Sequence, residues 1–356
     1  MSEPQRFRQL SLPTGTETLQ LQEAARHRRI SRTLEDLYFS WGYDPAETAL
    51  VDFFDVYRPL LPDGEVKQIY RAVDRQGEIL ALRSDITLFL AKQLGLHLTA
   101  GDLPVRVFYD DQIVRAEDRL DISHNEYSQS GVELVGLPGA EAEAEVLLLA
   151  VETMSALEQR EAVLHIGSHR LVDAAARSAG VTEGALPEFL SQVRRREFDA
   201  LEQPELSKIL SFIGSPQEFE SLQATSKDLP GGIATALTEL SQLTTLLLPL
   251  LPKTWRERVR IDLSELGHNS YYSGIAFSMF TPKSNSAVLR GGRYDQLLRA
   301  FGFDAPSVGF SLFPRKLPSE VLSRTYQTAR SAPGKTLAER VAALRSADPT
   351  TTRMHL

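Results

Sequence analysis

The sequence predicts an α+β fold, an antiparallel sheet flanked by helices and interrupted by an all-helical insertion. Three observations carry this reading. Residues 105–115 (VRVFYDDQIVR) and 126–136 (EYSQSGVELVG) alternate as two long antiparallel strands joined by a polar loop. From 168 to 252 strand patterning stops and helical patterns follow one another. Strand character then returns and persists to residue 313. Strand-rich segments separated by a helical run indicate α+β rather than an alternating α/β chain.

The elements follow in order. Residues 19–41 (LQLQEAARHRRISRTLEDLYFSW) place Ile30, Leu34, Leu37 and Tyr38 at helical spacing, and Gly42 is a natural stop. Short strand-like pieces come next: VDFFDVY (51–57), EVKQIYRAVD (65–74), the turn RQG and EILALRSD (78–85). Asp85 stands where a helix N-cap belongs, ahead of ITLFLAKQLGL (86–96). After the strand pair come an acidic helix (139–159) and a strand, AVLHIG (162–167). The helical run contains SHRLVDAAARSAG, LPEFLSQVRRREFDAL, PELSKILSFIG, SPQEFESLQATSK and IATALTELSQLTTLLL. RVRIDLSEL, YYSGIAFSMFTP and SAVLRGGRYD restore strands, the helix DQLLRAFG follows, and PSVGFSLF is the last strand. A turn-rich stretch then leads to an isolated amphipathic helix, TLAERVAALRSA (336–347). The expected organisation is a core in two parts, 1–167 and 253–317, an insertion at 168–252 and a partly flexible tail at 318–356.

Composition narrows the function. A chain of 356 residues without cysteine has no disulfide, thiolate metal site or cysteine nucleophile. A net charge of −8 argues against non-specific nucleic-acid binding. No apolar signal core opens the chain. LTTLLLPLLP (243–252) is short and broken by prolines, so no run is expected to span a bilayer and a cytoplasmic protein is expected.

Several motifs are better read as structure. LHIGSHRL (164–171) superficially matches a nucleotide-binding signature, but it stands mid-chain beside antiparallel strands and reads as a strand end. The histidines lack paired metal spacing, so no metal is expected. RGGRYDQLL (290–298) is equally a tight turn or a backbone approach to a ligand. RRRE (194–197) reads as a solvated helix face. The stronger candidate is the strand at 126–136. Tyr127, Gln129 and Glu133 share one face with Gly131 between them, which predicts an open space on a pocket floor, while Val132 and Leu134 point into a core.

Together, LRSDIT (82–87), the segment Arg115–Glu133, GHNSYYSGIAFSMF (267–280), GGRYD (291–295) and PSVGFSLFPRKL (306–317) resemble the catalytic core of the histidyl-tRNA synthetases. They correspond in order to that family's LRPE-x-T, motif 2, RGLDYYTG, GGRYD and motif 3 segments. LPTGTETL (12–19) resembles its PKGTRDIL-type start. The resemblance implies a class II aminoacyl-tRNA synthetase-like core. It also implies a histidine pocket: Asp85 and Thr87 for the ammonium group, Arg115, Gln129 and Glu133 from motif 2, and Tyr271 and Tyr272 beside the imidazole.

The departures from that pattern affect activation. The arginine opening RGLDYY is replaced by Gly267, and the basic residue of the motif 2 loop by Ser123, near Asp118 and Asp121. The motif 3 arginine is matched by Lys316, preceded by bulky Phe313 where a small residue is expected, and the motif 1 proline is lost near Ala49. Lysine lacks arginine's planar fork and stacks less well on adenine. The sequence runs only to residue 356, so no complete anticodon-binding domain is expected after motif 3. A kept amino-acid pocket without activation machinery resembles the synthetase-like regulatory subunits of ATP phosphoribosyltransferase. That resemblance implies a non-catalytic chain that binds L-histidine and associates, as dimers within a hetero-oligomer, with a short-form catalytic subunit. The catalytic subunit needs it for activity and receives feedback inhibition by histidine through it. No cofactor, metal or tRNA is implied. A divergent histidyl-tRNA synthetase and a synthetase-like tRNA-sensing module remain as alternatives. The lost arginine speaks against the first, and the negative charge and missing anticodon domain against the second.

Overall fold

The computed structural model describes residues 12, 15, 16, 18, 19, 21–116, 125–198, 203–225, 229–267 and 269–322. Helix α1 (Leu21–Ser40) precedes strands β1 (Asp44–Pro45) and β2 (Val51–Phe53). Short helices α2 (Phe54–Tyr57) and α3 (Asp63–Gln68) lead to β3 (Arg71–Val73) and β4 (Ile79–Leu82). Helix α4 (Ile86–His97), the long strands β5 (Val105–Val114) and β6 (Glu126–Val135), α5 (Ala140–Ala156) and β7 (Val163–Ser168) follow. The helical run comprises α6 (His169–Ser178), α7 (Leu186–Arg195), α8 (Pro204–Leu210), α9 (Pro216–Thr225) and α10 (Gly231–Leu250), with a two-residue strand β8 (Ile213–Gly214) between α8 and α9. Then come α11 (Lys253–Arg256), β9 (Val259–Asp262), β10 (Ile275–Phe280), β11 (Leu289–Arg293), α12 (Asp295–Arg299) and β12 (Ser307–Leu312).

The main sheet has nine strands in the order β1-β5-β6-β12-β11-β10-β7-β9-β8, and β2-β4-β3 form a separate sheet. The expected antiparallel sheet is in fact mixed. Its centre is antiparallel, but β1 runs parallel to β5 and β7 parallel to β9. β8 pairs with β9, so the expected strand-free run adds an edge strand to the sheet.

Packing on both faces follows the alternation of β6. Val132 and Leu134 are fully buried on one face, in a core shared with Ile30, Leu34 and Tyr38 of α1 and with Val146 and Leu149 of α5. The other face carries Gln129, Gly131 and Glu133 and lies against α4. Asp85 caps that helix, accepting the Leu88 N–H at 3.0 Å.

Local periodicity explains two differences from the expected strands. VDFFDVY is a strand only to Phe53, because Phe54 and Tyr57 are both buried at helical spacing and Tyr57 stacks on Phe89 of α4 at 4.5 Å. In EVKQIYRAVD, the stretch up to Gln68 belongs to α3. Pro62 precedes this helix, and Asp63 and Glu65 in its first turn favour the helix dipole. The small sheet is fixed to α4 through Asp52, which accepts from Lys92 at 2.6 Å and from Tyr57 at 2.6 Å.

α10 overturns another expectation. It runs unbroken to Leu250 with Pro249 in its last turn, and its length and composition would let it cross a bilayer. Ile233, Leu237, Leu240, Leu243 and Leu247 are nevertheless buried, and the helix packs against α5 and α6. RRRE is exposed as expected, yet Arg196 also reaches back to buried Asp262 at 2.5 Å. TLAERVAALRSA and Ser123 lie outside the described residues.

Candidate functional site

The centre of the site is a chain of hydrogen bonds above β6. Glu133 accepts from the Thr87 hydroxyl at 2.6 Å and pairs with the Tyr294 hydroxyl. Thr87 also bonds Tyr109 at 3.0 Å, and Tyr109 reaches Ser311 at 2.8 Å. Gln129 closes the network, accepting the Ile86 N–H at 3.0 Å and donating to Ser311 at 2.7 Å. All of these side chains are buried. Burial pushes the Glu133 carboxyl up to about 8, with Thr87 and Tyr294 opposing and nearby Asp85 adding to the rise. At neutral pH this carboxyl is mostly protonated, and in that state it can donate as well as accept.

The space expected above Gly131 is filled. Tyr109 stands directly opposite Gly131 in the β5–β6 register, and a Cβ at Gly131 would lie 2.6 Å from the Tyr109 hydroxyl. The glycine admits a neighbouring strand's phenol, which a reading of one strand cannot reveal.

Asp85 and Arg115 form the rim. Arg115 donates to the Ser84 carbonyl at 2.8 Å and meets the second Asp85 oxygen at 3.4 Å. Burial raises the Asp85 carboxyl even so, because it outweighs the Arg115 guanidinium and the Leu88 N–H. The Tyr271 hydroxyl lies 3.5 Å from Asp85 and accepts from Asn269. Tyr271 and Tyr272 meet edge to face at 5.4 Å, and Tyr271 and Tyr294 at 5.7 Å. The structure thus brings Asp85, Thr87, Arg115, Gln129, Glu133 and Tyr271 around one centre. Tyr272 lies behind them as packing.

Gly267 adopts φ +72°, and its N–H donates to Glu265 at 2.8 Å. A Cβ there would lie 2.4 Å from the Tyr272 ring. The same ring also leans on Gly292, while Gly291 admits Phe277. RGG is therefore neither a turn nor a ligand cradle, because both glycines lie within β11 and make room for aromatic rings. At the matching motif 3 position, Phe313 packs with Ile86, Leu90 and Tyr109, and the Lys316 ammonium sits 4.9 Å from the Phe313 ring centre.

The space left is small. A cavity of about 30 Å³ lies between Glu65, Asp85, Arg115, Asn269 and Tyr271, room for a water molecule or two. A roomier cleft of about 290 Å³ lies at the ends of the strands, away from these residues, where Arg293 is bonded to Glu143 at 2.6 Å. Tyr109, Tyr294, Ser311 and Glu65 were not among the predicted site residues. Tyr294 follows the GGR glycines and Ser311 alternates with Gly309, so those two carried a signal. Tyr109 and Glu65 gave none without strand register and helix placement.

The profile of the family described as Histidyl-tRNA synthetase matches residues 15–317. The chain is 29% identical over 315 residues to the ATP phosphoribosyltransferase regulatory subunit of Moorella thermoacetica, covering 85% of this chain and 80% of that one. A solved structure described as an ATP phosphoribosyltransferase regulatory subunit/histidyl-tRNA synthetase from Bacillus halodurans is similar, with TM-score 0.74 and 26% identity over 86% of this chain and 82% of that one. A histidine–tRNA ligase subunit from Alicyclobacillus acidocaldarius gives TM-score 0.72 at 24% identity over 88% and 96%, a likeness of fold alone.

Proposed function

The chain belongs to the histidyl-tRNA synthetase family, and from that premise we propose that it is a non-catalytic regulatory subunit of ATP phosphoribosyltransferase whose ligand is L-histidine. The observation that carries this reading is an asymmetry in the site. Among the groups suited to hold an amino acid, Thr87, Gln129 and Glu133 belong to one bonded network through Tyr109 and Ser311, and Asp85 stands at its rim. The position of the activating arginine is instead a glycine backed by an aromatic ring. Names carried by the relatives agree with the role. In this reading Glu133 receives the imidazole and Asp85 the ammonium group.

The 30 Å³ cavity cannot hold histidine as it stands. Glu133 does not line this cavity and both its oxygens are already bonded, so in this reading binding requires the side chains around Asp85 and Glu133 to rearrange. A ligand that binds only one of two arrangements shifts their balance, which is what a feedback subunit needs. The test mixes this chain with a purified short-form catalytic subunit and follows phosphoribosyl-ATP formation. Co-elution, a faster rate and inhibition by histidine are expected, and Glu133→Ala should abolish the inhibition. A coupling of about 1–3 kcal/mol would change apparent histidine affinity roughly 5–150-fold between states. A catalytic chain whose association, rate and histidine response are all unaffected by this protein overturns the reading.

The chain enters that complex as a homodimer. Asp52 is tied inward to Lys92, so its neighbours Val51 and Phe53 face outward with Leu50, and all three are exposed. Leu82 and Leu80 pair with Val51 and Phe53 and extend this apolar face. A second copy of the chain is the proposed cover. Light scattering on the purified protein should give twice the monomer mass, and the double change Val51→Glu, Phe53→Glu should give one. A wild-type chain that remains monomeric at micromolar concentration refutes the dimer.

A further inference from the structure

Gln129 and Glu133 flank Gly131 on one face of β6, and Gln129 accepts the N–H of Ile86, the neighbour of Asp85. A ligand held by its imidazole at Glu133 and by its ammonium group at Asp85 therefore lies over Gly131. Helix α4 closes one side of that line, with Ile86 and Leu90 packed against Val107 and Tyr109 of β5. The remaining substituent, the carboxylate, points the other way, across β12 and β11. In that direction the strand register sets a straight row: Gly131 pairs with Ser311, and Ser311 with Arg290. Alternation puts half-buried Arg290 on the pocket face. A Cβ at Gly292, two residues on, would meet the Tyr272 ring, whereas one at Gly291 would meet Phe277 in the core. Two strand spacings amount to about 10 Å, much of which an arginine stem can span.

Arg290 also stands beside the position where the resemblance expects an arginine. A Cβ at Gly267 would lie 3.5 Å from that of Ala276, and Ala276 pairs with Gly292. Arg290 is the next residue along β11 on that face. Burial raises the Glu265 carboxyl, opposed first by the Gly267 N–H and then by Arg290 and His165, so the Arg290 charge is felt next to Gly267. The other cations of the site are engaged elsewhere: Arg115 with the Ser84 carbonyl and Asp85, and Lys316 over the Phe313 ring.

We infer that Arg290, reaching over from β11, receives the ligand's α-carboxylate and makes the pocket select an imidazole-bearing amino acid over the amine or alcohol that lacks this group. The inference rests on the histidine reading above and deepens it. A cation that grips the carboxylate of the resting ligand tightens binding without activating it. Calorimetry of L-histidine and L-histidinol binding to the full chain tests the assignment. Wild type should bind L-histidine at least about tenfold more tightly than L-histidinol. Arg290→Gln should weaken L-histidine by a similar factor, leave L-histidinol nearly unchanged and bring the ratio close to one. Arg290→Lys keeps the charge but loses the planar fork, so it should lower the ratio by a smaller factor. Circular dichroism melts identify the folded variants. Equal affinities in wild type, a ratio unmoved by Arg290→Gln, or equal loss of both ligands in that folded variant overturns the inference and leaves the histidine reading intact. Where Arg290→Gln does not fold, a wild-type ratio in Arg290→Lys overturns it in the same way. No binding of either compound to wild type overturns the histidine reading, and the inference falls with it.

Discussion

Glu133→Gln is expected to stabilise the protein markedly at pH 8 and hardly at all at pH 4. The folded carboxyl titrates at about 8 against an ordinary 4.5, raised chiefly by burial. Between these values the native state binds a proton that the unfolded chain does not. Stability therefore falls as pH rises through that window and levels off above it, while below the unfolded value the group imposes no penalty. Over the window the effect is on the order of several kcal/mol. Glutamine is neutral throughout, and its carbonyl can still accept the Thr87 hydroxyl. Titrating groups that do not interact with Glu133 contribute equally to both proteins and cancel in the difference, whereas Asp85, whose charge adds to the rise, titrates together with it. Urea unfolding of wild type and variant at pH 5, 6.5 and 8 gives the comparison. Parallel stability curves across that range would mean that Glu133 is not a buried acid kept protonated by its surroundings.

The same residue shows what a sequence can and cannot reveal. Strand alternation placed Gln129 and Glu133 on one face of β6, and the side chain of Asp85 announced the start of α4, because both patterns depend on spacing along the chain alone. What those side chains touch depends on register between strands distant in sequence. Tyr109 reaches Gly131 only because β5 and β6 pair as they do, and Ser311 meets Gln129 only because β12 lies beside β6. Two short helices were misread for a related reason. The aromatic residues in VDFFDVY suit a strand by type, but Phe54 and Tyr57 are buried together on a helical turn against α4, a contact supplied by the tertiary structure. Glu65, in the other misread segment, faces the cavity only through the placement of α3. The family motifs marked side chains that the fold brings near one another, but not how the space between them is filled.

Gly267→Arg is expected to destabilise the protein by about 2–4 kcal/mol and to restore no histidine-dependent ATP–pyrophosphate exchange. The backbone at φ +72° alone disfavours a side chain by roughly 1–2 kcal/mol. A Cβ would also lie 2.4 Å from a Tyr272 ring that is braced on its other side by Gly292. Expelling this buried ring forfeits its packing, and retaining it leaves the arginine no path toward the pocket. The remaining activation contacts are altered as well, since Phe313 fills a cluster with Ile86 and Tyr109, and Lys316 is held over the Phe313 ring. Each preorganised group that stabilises transition-state charge is typically worth 10²–10³ in rate, so with the contacts at Phe313 and Lys316 altered too, a single returned cation leaves exchange at background. Gly267→Ala separates the two effects: it should lose most of the same stability without adding charge. Calorimetric melts of both variants, with exchange assays alongside, measure the outcome. An arginine variant with wild-type stability or clear exchange activity would show that the loop still accommodates the synthetase residue, and that the proposed loss of activation is not built into the packing around Tyr272.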